Sequence, residues 1–401
     1  MSTQKQLDKS LKAGSHALDE LLAAIAKDGE ERRKLDSEAR PFYAMDLIRQ
    51  SKLSGIQLPV EYGGEDASIR ELFEVVILLA EADPDVAHIL RAHYLTVEEI
   101  LRSPNLEVRQ TWIDRVAKGA IIGNATTEIS SHNVGNLVYE TTLSPEGAGY
   151  RLNGTKYFST GTLYADWVAV TASTPEGLST SVIIPTNREG VTIVDDWDGI
   201  GQRLTGSGTT YFQNVFVNPD EIRDIKDKTP FNSLPQLFIH GVIAGIVRNV
   251  VTDASKLVHS RKRTFSYATA DKPAVDPQLL QVIGEISSIA FAAETLVLAA
   301  ADAIDNAVRG AVNGKIDYAL SHEASLRVSQ VKVIVDHLAL KASTLLFEVG
   351  GSSATRQSYH LDRHWRNIRT LASHNPRVYK ARAIGEYVVN GKELPLKEVY
   401  F

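Results

Sequence analysis

The 401-residue sequence predicts an α+β protein in which a helical block, a β-domain and a helical bundle follow one another. Three observations carry that prediction. Apolar residues recur at helical spacing up to about Lys118; short β-branched and aromatic runs replace them between Ala120 and about Val217; helical spacing returns after Pro230 and persists to about Val389. The boundaries read from these changes are 1–119, 120–226 and 227–401.

In the first block, Leu18, Leu21, Leu22 and Ile25, and then Leu72, Val75, Val76 and Leu79, each mark one face of a helix. Leu58-Pro-Val-Glu-Tyr-Gly-Gly64 interrupts them as a loop. In the second block, strands are expected at Leu137–Leu143, Tyr150–Phe158, Trp167–Ala172, Thr180–Ile184 and Thr209–Val217. Asn153-Gly154 is a hairpin-turn signal, and the whole reads as a small antiparallel domain. In the third block, long helices are expected at Leu237–Arg261, Gln278–Val308, Leu320–Val349 and His360–Ser373. The second of these is apolar on nearly every face, which predicts the centre of a bundle or an oligomer interface.

Composition narrows the chemistry. There is no Cys, so disulfides, zinc–thiolate sites, iron–sulfur clusters and cysteine nucleophiles are excluded. Forty-three basic against 49 acidic residues give a net charge of −6 and no general basic field for nucleic acid. The N-terminus lacks an apolar signal core, and no uninterrupted apolar run reaches the roughly 18–20 residues of a membrane span. A cytoplasmic protein without a membrane partner is expected. Neither a Gly-x-Gly-x-x-Gly strand turn, a Walker loop nor His-Glu-x-x-His occurs. His360 and His364, at i and i+4, would share a helix face, but the Arg residues crowding that segment disfavour a cation, and no metal is expected.

Three patterns carry chemistry. Gly123-Asn-Ala-Thr-Thr-Glu-Ile-Ser-Ser-His-Asn133 places small and hydroxyl residues at a strand end, as a turn or as donors to a flat heterocycle. Asn153-Gly-Thr-Lys-Tyr-Phe-Ser-Thr-Gly161 puts Phe158 and Thr160 two apart, on one face of a strand, as β-core or as the flank of a flavin. Arg363-His-Trp-Arg-Asn-Ile-Arg-Thr-Leu-Ala-Ser-His-Asn-Pro376 is a basic helix that ends beside His374, a residue able to pass protons near neutrality or to cap the helix.

Together and in this order, these patterns resemble the acyl-CoA dehydrogenase superfamily over about residues 20–390. Pro59–Gly64, Trp197–Gly208 and Phe347–Gly351 are similar to further signatures of the superfamily. The resemblance implies its fold: an N-terminal helical domain, a middle antiparallel β-barrel-like domain and a C-terminal four-helix bundle, commonly in a homotetramer. A dehydrogenase of this family needs a carboxylate base, whereas Asn375 and Ile239 stand at its two possible positions. The chain is instead similar to the two-component (group D) flavin monooxygenase branch, of the dibenzothiophene monooxygenase type, in Arg363–Thr370, His374-Asn-Pro and Tyr379–Gly391.

That branch implies reduced flavin, usually FMN with FAD the alternative, delivered by a separate NAD(P)H:flavin reductase. It also implies O2 activation as a C4a-hydroperoxide, and a small apolar substrate that is an organosulfur compound or an aromatic heterocycle. Carried onto this sequence, the catalytic residues are His374, Thr160 and a substrate-side His93, with His88 the alternative. The cofactor-binding set is Ala125, Thr127, Asn133, Phe158, Thr160 and Arg369, with Lys262 or Arg263 on the phosphate. The other readings are an acyl-CoA dehydrogenase-like flavoenzyme, or a ligand-binding relative without catalysis.

Overall fold

Ser68 opens the third helix with a capping box, its hydroxyl on the Glu71 N–H and the Glu71 carboxylate on its own N–H. This helix is the hinge of the architecture, since its buried face packs on a helix far away in sequence. The computed structural model describes residues 10–35, 39–129, 133, 135, 137–223, 233–313 and 315–401. The N-terminal helices are α1 (His16–Lys34), α2 (Phe42–Ser51), α3 (Ile69–Ala82), α4 (Pro84–Ile89), α5 (Arg91–Leu101) and α6 (Leu106–Ala117). The C-terminal helices are α7 (Ser233–Ser260), α8 (Pro277–Arg309), α9 (Tyr318–Gly350), α10 (Asp362–Ala372) and α11 (Arg377–Asn390).

The two helical blocks share one apolar core, running from Leu18 and Phe73 through Phe238 and Val247 to Val335 and Ile368. Gly245 makes the α3–α7 crossing possible: a Cβ there would stand 2.3 Å from the Ile77 carbonyl oxygen. Asp305 of α8 accepts from the Ile69 and Arg70 N–H groups at 2.8 and 3.0 Å, satisfying donors that the first turn of α3 leaves open.

Between the helical blocks lie β1 (Ile122–Ala125), β2 (Thr142–Glu146), β3 (Gly149–Lys156), β4 (Trp167–Ser173), β5 (Ser179–Pro185), β6 (Val191–Val194), β7 (Thr209–Val217) and β8 (Ile222–Arg223). They form one sheet in the order β6-β7-β3-β2-β4-β5-β8, with β1 also on β4. A separate core, including Leu143, Leu152, Val170, Val182 and Phe212, holds it together.

The structure corrects five expectations. The β2–β3 hairpin turns at Gly147, not at Asn153-Gly154, which sits inside β3 at a bulge facing β7. Gly is required there because a Cβ on Gly154 would meet Thr141 at 2.3 Å, so the dipeptide records close packing instead of a turn. The sheet is not wholly antiparallel: β1 and β2 both run parallel to β4. Residues 137–141 precede β2 without forming strand. Of the two places expected for the apolar helix Gln278–Val308, the bundle centre is taken instead by α7, the most enclosed helix, while α8 leaves Phe291 72 % exposed. Finally, α7 and α8 are long and apolar enough by composition to cross a membrane, because scattered charges do not lower an 18-residue average enough to disqualify them. For α7 the apolar stretch is core, whereas most of the α8 stretch faces outward.

Candidate active site

Where the sheet meets the helices, the residues after β3 leave strand geometry. Phe158 takes φ +57°, and Thr160 N–H turns back to the Phe158 carbonyl at 2.8 Å. The two side chains therefore do not share a strand face by alternation, as the sequence spacing suggested; they project from a turn. Phe158 is 47 % exposed and meets Trp197 edge-on at 5.8 Å. Thr160 Oγ1 lies 2.8 Å from Ser207 Oγ, which lies 2.6 Å from Thr205 Oγ1, and the Thr205 hydroxyl donates to the Gln202 carbonyl at 2.8 Å. This hydroxyl chain runs from the β-domain turn to Gln202.

Gln202 is the joint with the helices. Its N–H donates to Asn367 Oδ1 of α10 at 2.8 Å, and its side-chain oxygen lies 3.0 Å from His88 Nδ1 at the end of α4. Its Nε2 is buried without a partner. Burial, and secondarily the Arg91 guanidinium, pushes His88 down to about 3, so its ring is neutral and donates from Nδ1.

His374 follows α10, its side chain exposed at this seam. Arg91 Nη1 lies 3.3 Å from its Nε2, Asn375 Nδ2 lies 3.3 Å from its Nδ1, and the Tyr400 ring stands edge-on at 5.7 Å. Both hydrogen-bonding neighbours are donors. An imidazolium would have no acceptor to offer either, and surrounding protein and the nearby cations hold the ring well below its usual range. His374 is therefore a neutral base at physiological pH. Asn375, buried, donates to Gln236 Oε1 at 2.8 Å and keeps an unpartnered oxygen. Behind them Lys332 holds the Ala372 carbonyl at 3.1 Å and Asp336 at 2.9 Å, fixing the end of α10.

The predicted residues divide. His374 and Thr160 stand on this seam, and Phe158 flanks it. Thr127, half-buried, bridges Tyr157 through its carbonyl, which accepts the Tyr157 N–H at 2.8 Å. Ala125 points its methyl into the β-core, so only its backbone can serve a ligand. Asn133 is exposed; Ser130, Ser131 and His132 of the same pattern lie outside the described residues. Arg369, half-buried, binds Ser373 Oγ at 3.2 Å. Lys262 and Arg263 are exposed past the far end of α7, and about 36 Å of helix separates Gln236 from Ser260. Within one chain they stand too far from His374 for one flavin mononucleotide to touch both.

His93 is a correction. It is wholly buried, donating from Nε2 to the Ser54 carbonyl at 2.8 Å and accepting the Ile122 N–H on Nδ1 at 3.2 Å. Both ring nitrogens are spent on backbone, so the ring fastens α5 to β1 and cannot reach a substrate. His88, the alternative, belongs to the seam. His360 precedes α10 with φ +49°, so it does not share a helix face with His364, whose Nε2 binds Asp253 at 2.9 Å. Arg91, Gln202 and Ser207 escaped the sequence reading. Arg91 stands two residues before His93, and Gln202 and Ser207 lie within the recognised Trp197–Gly208 stretch, but nothing in one sequence says which side chains turn inward.

Among the described residues, no Asp or Glu hydrogen-bonds or ion-pairs with His88, Arg91, Thr160 or His374. The position that a dehydrogenase would give to a carboxylate base is filled by an amide. A flat heterocycle with a polar edge fits the β-domain side: an uncovered Phe158 face lies beside the Thr160 hydroxyl and a buried, unpartnered Ser159 Oγ.

Comparisons with known proteins identify the family and the fold. Models of the acyl-CoA dehydrogenase N-terminal, middle and C-terminal domains match residues 9–120, 124–215 and 237–377 in turn. A dibenzothiophene monooxygenase from Mycolicibacterium goodii is 32 % identical over 366 residues, with 86 % of each chain covered. The chain belongs to the acyl-CoA dehydrogenase family. A second family relative, a probable FMNH2-dependent monooxygenase, SfnC, from Pseudomonas putida, is 28 % identical over 93 % of this chain and 94 % of its own. The crystal structure of TdsC from Paenibacillus sp. A11-2 with FMN and indole superposes with a TM-score of 0.87 at 26 % identity, covering 96 % of this chain and all of that one. The acyl-CoA dehydrogenase fold expected from the sequence, in its three-part order, is thus the fold observed.

Proposed function

We propose that this chain is the oxygenating component of a two-component, flavin-dependent monooxygenase that acts on a small organosulfur or aromatic substrate. One observation carries the reading within the family: a neutral histidine flanked only by donors, His374, with no carboxylate beside it. Removing an α-proton from an acyl thioester calls for a carboxylate placed on that proton, whereas oxygen transfer calls for a group that takes up and returns a proton. The FMN and FMNH2 in the relatives' names support FMN as the cofactor.

Reduced FMN, when bound, supplies the two electrons with which one atom of O2 enters the substrate and the other leaves as water. The chain's own residues do the rest. Phe158 offers an apolar flank, the Thr160 hydroxyl a hydrogen bond to the polar edge of the ring, and Thr127 the adjoining wall. His374 holds or releases one proton on its accepting nitrogen, with the Tyr400 ring edge-on beside it. A separate NAD(P)H:flavin reductase supplies the flavin, since the relatives' reduced-flavin dependence needs a source of electrons.

A homotetramer belongs to the same proposal. It is supported by the outward apolar face of α8, with Phe291 and Leu280 exposed, and by Lys262 and Arg263, which would reach the flavin phosphate of a neighbouring copy. Titration with oxidised and reduced FMN and FAD tests the reading: tighter binding of reduced FMN, and oxygenated product when O2 and an organosulfide or indole are added, are expected. Tight retention of FAD with bleaching by an acyl-CoA would establish the dehydrogenase instead, and no flavin binding at all would leave a non-catalytic relative.

A further inference from the structure

A cavity of about 180 Å³ opens where α1, the α3–α4 junction, α7, the N-terminal half of α10 and the 200–204 segment meet. None of His88, Arg91, Thr160 or His374 lines it, and about 14 Å of α10 separates Arg363, on its wall, from Ala372. Most of its guanidinium groups are spent. Arg32 is held by Asp28 at 2.8 Å and Asp83 at 2.5 Å, and Arg363 by Asp253 at 2.5 Å and Asn249 at 3.0 Å. Arg33 is not. Half-buried, it has no hydrogen-bond or ion-pair partner among the described residues, and burial, with the Arg363 guanidinium second, pushes it below its usual value. Its seat is cleared by Gly29, four residues earlier on α1: a Cβ there would stand 2.9 Å from Asp83 Oδ2 and 3.3 Å from Arg33 Nη1. Two further donors line the same space. Arg366 has its Nε 3.0 Å from the Asp362 carboxylate, in contact without a directed hydrogen bond, and both its Nη groups are open among the described residues. The His360 ring is likewise unclaimed there. The acids on the walls do not answer Arg33. Glu81 is bound to Arg248 at 2.6 Å and Asp83 to Arg32, while Asp85, pushed up to about 7 by burial and by Asp83, takes the Leu204 N–H at 3.3 Å and is about half charged at neutral pH. A desolvated cation with open N–H groups is costly, and an anion placed on it removes the cost.

We infer that this cavity is a second ligand site, taking a phosphate dianion, free or as a small phosphate monoester, on Arg33, Arg366 and His360. The inference is independent of the monooxygenase reading above. Donors on α1, on α10 and just before α10 share one space, which suits an acceptor with oxygens on several sides. A phosphate carries about −1.5 to −2 charges at pH 7 and three strong acceptor oxygens, whereas a carboxylate offers a single charge and two oxygens in one plane. Guanidinium forks match such oxygens in pairs, which an ammonium does not. Ile200, Leu204 and Ile246 add an apolar wall for the organic part of a monoester. Sites for drug-sized ligands run to roughly 300–1,000 Å³, so a whole flavin nucleotide does not fit. The cavity also touches the active-site seam: Asn367 belongs to its wall, and Asn367 Oδ1 anchors the Gln202 N–H.

The test is calorimetric titration of the full chain, saturated with oxidised FMN at pH 7, with inorganic phosphate, glycerol 3-phosphate and acetate. Both phosphates are expected to bind with Kd at or below about 1 mM, and acetate at least about tenfold more weakly. Tighter binding of glycerol 3-phosphate assigns the site to monoesters, and equal or tighter binding of inorganic phosphate assigns it to the free ion. Arg33→Gln and Arg366→Gln should each weaken both phosphates at least about tenfold, the loss of a charge-assisted hydrogen bond, while FMN affinity stays within about twofold. Arg33→Lys should recover part of the loss. The melting temperature of unliganded Arg33→Gln should be unchanged or raised, because the cation removed is unpaired; a structural role would lower it. Phosphate affinity unchanged in both variants, acetate binding as tightly as phosphate, or no binding below about 10 mM overturns the inference. Phosphate binding that is seen only without FMN places the anion in the flavin site and overturns it equally. If the wild type binds no flavin, the monooxygenase reading falls and the same titration of the flavin-free chain decides this site by the two variants.

Discussion

His93 and His374 are two histidines with opposite surroundings. His93 lies between α5 and β1, wholly enclosed, and each ring nitrogen answers a backbone group of matching sense, one carbonyl and one N–H. His374 lies at the end of α10 with its side chain exposed, and both of its neighbours are donors competing for a single acceptor nitrogen. Both rings are neutral first because surrounding protein desolvates them; at His93 both nitrogens are also satisfied, whereas at His374 the nearby cations add to the shift and an added proton would find only donors. A satisfied histidine is a fastener. A histidine with an unmet donor of its own and a contested acceptor is available for chemistry.

The largest expected effect falls on the exposed ring. His374→Ala should lower kcat for oxygenation by about 10²- to 10⁴-fold, the usual range for a lost acid–base group, with stability unchanged within about 0.5 kcal/mol. Stopped-flow or product assays alongside thermal melts measure both quantities. A fall in melting temperature matching the loss of activity would erase the distinction between the two histidines.

His93→Ala should do the reverse, unfolding the protein roughly 2–4 kcal/mol more easily because a buried carbonyl and a buried N–H lose their partner and a void remains. Denaturant titration shows this, with flavin binding retained below the transition. Full stability with abolished turnover would return His93 to the substrate side.

The pH dependence sharpens the same contrast. Burial holds His93 at about 4, below its unfolded value near 6.5, so beneath pH 6.5 the unfolded chain binds the extra proton. Stability should therefore be complete above pH 6.5 and fall progressively toward pH 4, by as much as about 3 kcal/mol from this residue, with a shallower fall in His93→Gln. Turnover governed by His374, also depressed, should persist below pH 6.5 wherever the fold survives.

The smallest effect belongs to the hydroxyl chain. Thr160→Val removes one neutral hydrogen bond and should weaken FMN binding by about 1 kcal/mol, roughly fivefold. Fluorescence titration of FMN reads it, and an unchanged affinity would place the Thr160 hydroxyl outside the cofactor site.

What the sequence reading got right and wrong follows the physics of each signal. The helical blocks and β7, found at Thr209–Val217 as expected, are periodicity of burial, which is written in the order of residues. The Asn153-Gly154 turn failed because glycine has two uses, reversal and close approach, and only the position of Thr141 against β3 selects the second. The strand alternation of Phe158 and Thr160 failed because β3 ends at Lys156. Phe158 then adopts positive φ, which local spacing does not announce.

The sequence by itself determined the class of fold, the family, the absence of thiol chemistry, and His374 as the candidate base, because each is a matter of residue type and order. Tertiary structure decided which histidine is fastened and which is free, that Gln202 joins the hydroxyl chain to His88, and that Arg91 stands beside His374 without a carboxylate. Those are relations among α4, α5, α7, α10 and the 200–208 segment. Hydrogen-bond sense and charge pairing arise only when such segments, far apart in the chain, are brought within a few ångströms.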